Sequence, residues 1–130
     1  MKNTVSMKYN RDFKRLYAKG KSLCAGFLVM YYKKTGGKGN TLGLTVTKKI
    51  GKAVVRNRIR RLIRESYRLK EHELSGGYYI VFVARGKAVG ASFDQISRDM
   101  SFLLKKSGIL NQDAKPDTPL VKSDNTDADK

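Results

Sequence analysis

A chain of 130 residues with two prolines, one cysteine and 28 Lys or Arg against 11 Asp or Glu carries a formal charge of +17. That length supports a single domain with one modest core. The lone Cys24 excludes an internal disulfide, and the longest apolar runs, 27–32 and 78–84, are too short to span a bilayer. The charge is also uneven: residues 111–130 hold three Lys and five Asp, a net of −2, which leaves +19 on the first 110. Such a domain suits a polyanionic partner, nucleic acid first.

Met1-Lys2-Asn3-Thr4 has no apolar signal core, so a cytoplasmic protein is expected. Asn10 is placed to cap a first helix running to Lys19, in which Phe13, Leu16 and Tyr17 recur at spacings of three and four. Gly20 then supplies a left-handed helix end. From Lys21 to Lys33 the residues favour strand, with a break at Ala25-Gly26, and Thr35 to Asn40 reads as a flexible hairpin connection. Thr41 to Thr47 alternates Leu42, Leu44 and Val46 with Gly43, Thr45 and Thr47, giving one buried and one polar face.

From Lys48 to Lys70 there are ten Lys or Arg and one acid, Glu65. A long helix is predicted from Val54 or Val55 to Lys70, with Val55, Ile59, Leu62, Ile63, Ser66 and Tyr67 as its inner stripe. Arginines cover the rest, and their planar forks grip phosphates bidentately. Tyr78 to Ala84 is apolar on both faces and predicts a central, doubly covered strand. Ser92 and Gln95 form a capping box for a last helix that buries Phe93, Ile96, Met100, Leu103 and Leu104 and stops at Gly108. Residues 1–110 are therefore read as one α+β domain and 111–130 as a disordered acidic tail.

The acids of the first 110 residues are Asp12, Glu65, Glu71, Glu73, Asp94 and Asp99, and no two share a spacing that would hold a metal pair. With one His and one Cys, a two-histidine ribonuclease and a His/Cys metal site are excluded as well. No catalytic residue and no protein-held metal is assigned; the chemistry must belong to something bound. Arg56, Asn57, Arg58, Arg60 and Arg61, supported by Lys48, Lys49, Lys52 and Arg64, are assigned to contact with a structured RNA, at a helix start whose free amides add their own pull on anions. The bland alternatives are a solvated helix face and, for Asn57, a local cap. A membrane-surface helix is the weaker reading, because the inner stripe is needed by the strands as core.

The run Lys48-Lys49-Ile50-Gly51-Lys52-Ala53-Val54-Val55-Arg56-Asn57-Arg58-Ile59-Arg60-Arg61-Leu62-Ile63-Arg64-Glu65 closely resembles the signature of the bacterial ribonuclease P protein subunit. The likeness extends from about Lys8 to Leu110 and includes Phe13-Lys14-Arg15-Leu16-Tyr17, Gly43-Leu44-Thr45-Val46-Thr47 and Ala84-Arg85. It implies a four-stranded sheet with helices on one face in the order α-β-β-β-α-β-α, similar to a domain of ribosomal protein S5, with a left-handed βαβ crossover. It also implies the partners: the ribonuclease P catalytic RNA, and the 5′ leader of precursor tRNA, which that RNA removes by magnesium-dependent hydrolysis. No further protein partner and no membrane is implied. The leader would lie in a cleft between the first helix and the open sheet face, lined by Phe13, Tyr17, Tyr31, Thr45, Thr47 and Arg85, with Leu28 in a slot often aromatic. By spacing alone, Phe13 and Tyr17 read first as core anchors of the helix, and only the resemblance turns them toward a ligand; Thr45, Thr47 and Arg85 read equally well as an exposed polar sheet face. A basic ribosomal protein shares the charge and remains the alternative.

Overall fold

The computed structural model describes residues 4–110. Five strands and three helices follow one another as β1 (Thr4–Ser6), α1 (Asn10–Lys19), β2 (Lys21–Cys24), β3 (Leu28–Lys34), β4 (Asn40–Thr45), α2 (Ala53–Lys70), β5 (Tyr78–Ala84) and α3 (Phe93–Ser107). They form one mixed sheet in the order β1-β4-β5-β3-β2. β5 is the middle strand, parallel to β4 and antiparallel to β3. A run apolar on both sides is stable only where both sides are covered, and the sheet centre is that place.

The central placement of β5 corrects one expectation. Segment 35–39 is not a hairpin, because β5 lies between the strands it joins. The sheet also has five strands where four were expected. Thr4–Ser6 adds to β4 in parallel, with Thr4 opposite Asn40 and Ser6 opposite Leu42. Three residues with an exposed Val5 carry little strand signal. What holds them is tertiary: the Tyr67 hydroxyl on α2 lies 2.9 Å from the Thr4 hydroxyl. Asn40 fastens the neighbouring strand starts, its Nδ2 donating to the Ser75 carbonyl at 3.1 Å and its Oδ1 accepting from the Tyr78 amide at 2.9 Å.

The helices divide between the two sheet faces. Leu28, Met30, Leu42, Ile80 and Phe82 face α2 and α3, which contribute Ile59, Ile63 and Tyr67, and Ile96, Met100, Leu103 and Leu104. The opposite face carries a small cluster of Met7, Leu16 and Val81, flanked by Phe13, Tyr31, Tyr79 and Val83. α1 packs there, so the helices are not all on one face. Strand alternation requires the split, since Val81 and Val83 point away from Ile80 and Phe82 and need a cover of their own. Leu28 belongs to the α2/α3 core and is fully buried, so it could not stack on a ligand whatever its identity.

At α3 the local signals match the structure: Ser92 and Gln95 make the reciprocal capping box and Gly108 takes a left-handed φ of 85°. Phe93 is only half-buried. At α1 two readings fail. Tyr9 occupies the cap position without a side-chain bond, and Asn10 is already helical. Gly20 is extended, with φ −79° and ψ 170°. Space explains the glycine instead: a Cβ would sit 2.7 Å from Leu16 Cδ1 and 3.0 Å from the Tyr32 carbonyl oxygen. The acidic tail expected over 111–130 lies outside the described residues.

Candidate RNA interface

β4 ends at Thr45, a short 3-10 turn spans Lys48–Ile50, and α2 begins at Ala53, one or two residues before the predicted start at Val54 or Val55. Lys52 is the cap position, with no side-chain cap bond, and no acid stands in the first turn. The first amides of α2 therefore end on an exposed surface beside Lys48, Lys49 and Lys52. That positive helix end is available to an anion.

Around the helix the basic residues are not equivalent. Arg56 is half-buried and its Nε donates to the Gly51 carbonyl at 3.1 Å, with no described bond from its terminal nitrogens. Arg58 Nη2 donates to the Ala91 carbonyl at 2.9 Å, on the loop before α3. Arg60 Nη1 donates to Asn57 Oδ1 at 3.2 Å. Asn57 is thus a mid-helix residue that orients an arginine, and the local-cap reading falls. Arg61 and Arg64 are exposed. Arg60 and Arg64 also border a cavity of about 200 Å³ beside the β1–β4 edge of the sheet, lined by Thr4 to Met7, Leu42 to Leu44 and Phe13. Nothing in the sequence signalled that cavity, because it exists only where β1 stops short of the end of β4.

The opposite face carries the aromatic group. Tyr17 and Tyr31 meet edge to face with ring centroids 4.8 Å apart, and Phe13 lies 6.4 Å from Tyr17. The Tyr17 hydroxyl is 2.7 Å from that of Thr45. Phe13 sits over Gly43, where a Cβ would come within 2.7 Å of its ring. Phe13 is accordingly a packing residue that seats α1, while Tyr17, 39% exposed, presents ring surface to solvent. Arg85 reaches over the end of β2 on the same side, its Nη1 donating to the Ala25 carbonyl at 2.8 Å and lying 3.1 Å from Cys24 Sγ. Thr47 stands beyond the strand, exposed at the start of the 3-10 turn, and is not brought to the tyrosines by any described bond. Of the six predicted cleft residues, Phe13, Tyr17, Tyr31 and Thr45 form one contact group; Arg85 is tied to Ala25 and Cys24 instead, and Thr47 has no described bond to the group.

Three of the acids are engaged within the fold. Glu65 pairs with Arg68 at 2.8 Å, Asp99 Oδ2 accepts from the Phe27 amide at 2.6 Å, and Glu73 lies 3.4 Å from His72. Among the described residues no three of His, Cys, Asp and Glu come together as a metal site. No helix there is long and apolar enough to cross a membrane.

Comparison with known proteins fits this geometry. The family model described as Ribonuclease P matches residues 1–108. The ribonuclease P protein component of Caldanaerobacter subterraneus subsp. tengcongensis is 45% identical over 108 residues, covering 83% of this chain and 93% of that protein. Its counterpart in Thermoanaerobacter sp. strain X514 is 47% identical over 103 residues, covering 79% and 89%. The solved ribonuclease P protein of Staphylococcus aureus superposes with a TM-score of 0.75 at 33% identity, over 82% of this chain and 97% of that one. That of Thermotoga maritima gives 0.72 at 30%, over 78% and 96%. An arginine-clad helix on one side of a mixed sheet, a tyrosine-lined face on the other and a family match spanning nearly all described residues lead to one conclusion: this chain belongs to the ribonuclease P protein family.

Proposed function

We propose that the chain is the protein subunit of ribonuclease P, acting in the removal of the 5′ leader from precursor tRNA with the hydrolysis carried by its catalytic RNA. In this reading Lys48, Lys49, Lys52, Arg56, Asn57, Arg58, Arg60, Arg61 and Arg64 dock on that RNA. Arg56 and Arg58 are each held by one carbonyl, so their remaining N–H groups meet phosphates with little further ordering cost. The leader runs over the open sheet face, where Tyr17 and Tyr31 offer rings to unpaired bases, Thr45 offers a hydroxyl and Arg85 a charge. Each stacked base would contribute about 1–3 kcal/mol irrespective of its identity. Thr47 joins only as a flank, and Phe13 acts by holding α1 in place.

Magnesium in this scheme is a requirement of the RNA. Among the described residues the carboxylates are scattered and do not gather into a site for a divalent ion, and what the protein adds in this reading is positioning and charge neutralisation. We place residues 1–110 as the RNA-binding domain and the protein in the cytoplasm. The observation that carries the reading is the separation of an acid-poor arginine surface and a half-exposed tyrosine pair onto opposite faces of one sheet. A ribosomal protein needs the first of these and has no use for the second.

The test is reconstitution. Protein added to the catalytic RNA of its host at low magnesium should raise cleavage of precursor tRNA at the mature 5′ end. No gain over the RNA alone would overturn the assignment. With Arg56→Ala and Arg58→Ala combined, affinity for the catalytic RNA should fall, and the slope of log K against log salt should lose about 0.9 for each phosphate contact removed. An unchanged slope would remove the arginine helix from the interface.

A further inference from the structure

A second basic surface lies away from both of those described above. Lys33 and Lys34 stand at the end of β3, opposite Tyr79 and Tyr78 at the start of β5. Lys21 opens β2 and Lys19 closes α1, with Arg15 one turn before it. All five cations are exposed. They line two adjoining depressions of about 220 and 270 Å³, where the only acid among the lining residues is Asp12. The local charge is therefore +4.

This corner is remote from the arginines of α2. That helix starts beyond the end of β4 and returns toward the start of β5, about 27 Å at 1.5 Å per residue. Arg56 to Arg61 thus sit at the far end of the sheet from Lys33 and Lys34. The corner is also distinct from the tyrosine cleft, because α1 lies between them. Leu16 is the buried ridge of α1. By helical spacing Phe13 and Tyr17 fall on one side of it, and Asp12, Arg15 and Lys19 on the other.

Complementing the carbonyl end of α1 would account for Lys19. It does not account for Lys21, Lys33 and Lys34, which lie on strands. Five clustered exposed cations against one acid are held against their own repulsion, and a phosphodiester chain relieves it. Lysines, as point charges on flexible stems, suit a strand with no fixed geometry, whereas α2 presents arginine forks for folded RNA. Half-buried rings border both depressions, Tyr79 the first on the α1 face and Tyr32 and Tyr78 the second toward α3, with Lys33 and Lys34 shared between them, and charge beside rings is the combination found in single-strand grooves.

We propose that this α1–β2–β3 corner binds the phosphates of leader nucleotides upstream of those held in the cleft, so that a long leader crosses α1 near Gly20 and continues onto the lysines. The inference rests on the leader reading of the cleft, and the experiment separates the two. Holoenzyme carrying Lys33→Ala with Lys34→Ala is compared with wild type on mature tRNA and on precursors whose leaders just fill the cleft or are about twice as long. Wild type should bind the long-leader precursor severalfold more tightly than the short, with the gain shrinking as salt rises. The variant should lose that gain. Its salt slope on the long substrate should drop by about 1.4, two single-strand contacts at roughly 0.7 each. Short-leader affinity, catalytic-RNA affinity and Tm should stay at wild-type values, and Lys19→Gln with Lys21→Gln should reproduce the pattern.

A length gain that survives in both variants, or that wild type never shows, overturns the proposal. So does an equal loss for short leader and mature tRNA, which would make the corner a catalytic-RNA contact. A fall in Tm that tracks the affinity loss in both variants would make it structural. The cleft reading fails by a different result: unchanged short-leader binding in Tyr17→Ala and Tyr31→Ala.

Discussion

The two faces of the sheet are made from alternate residues of the same strands, yet they are finished differently. Toward α2 and α3, eighteen buried residues form one continuous core; toward α1 the buried set is Met7, Leu16 and Val81. Stability therefore resides on the first face, and the second can leave Tyr17 and Tyr31 partly open. α1 is the one helix packed on that face, and beside it Tyr17 remains 39% exposed.

The contrast can be broken most severely at Phe82, fully buried between β5 and the helices. Phe82→Ala should cost about 3–5 kcal/mol, read as a lowered midpoint in denaturant unfolding. A loss no larger than that of Val83→Ala, on the opposite face, would erase the asymmetry. Gly43→Ala tests the thinner face from the other direction. Its Cβ would meet the Phe13 ring at 2.7 Å and Val81 Cγ2 at 3.1 Å, so α1 must lift. A loss of about 1–3 kcal/mol from overpacking is expected, with reduced affinity for precursor tRNA and unchanged affinity for the catalytic RNA. If both affinities fell together, α1 and α2 would not be independent surfaces.

Tyr31→Ala should leave the fold in place and weaken leader-bearing precursor by about 1–3 kcal/mol if a base stacks there, while mature tRNA binds as before. Fluorescence titration of the two substrates distinguishes this from a general loss.

The smallest expected effect concerns Tyr67, where α2 meets β1. Burial raises its phenol above the ordinary 10.0, against hydrogen bonds from Thr4 and Asn40 that lower it. The folded protein thus keeps a proton that the unfolded chain releases near pH 10. The stabilising contribution is complete below that pH and is lost as pH rises through the raised value. Lys70 has the opposite sign: burial lowers it from 10.5, and over the window just below 10.5 its effect favours the folded state as pH rises. Tyr67→Phe should remove the alkaline decline and cost about 1 kcal/mol at neutral pH through the lost Thr4 bond. An unaltered profile of stability against pH would show that Tyr67 is not its source.

The strongly periodic elements were legible without tertiary information. The apolar stripe of α2, the double-sided run of β5 and the Ser92–Gln95 box each encode their own structure within one element. Features that need two elements were not. β1 depends on the edge of β4 and on Tyr67, 63 residues away. Gly20 and Gly43 looked like turn or strand residues, and their real constraint is the helix lying on them. In the candidate site, residue types were legible and their division of labour was not. Phe13 and Tyr17 have the same sequence signal, and only their neighbours make one an anchor and the other a surface.

The sequence by itself determined that an acid-poor run of arginines must face a polyanion, because local charge density is a property of the chain and survives any fold. Tertiary structure alone decided that α1 takes the opposite face from α2. It thereby opened a tyrosine-lined face on one flank of that helix and a lysine corner on the other. Which side of a sheet a helix covers depends on how much apolar surface each side leaves bare, and that is settled only when the strands have paired.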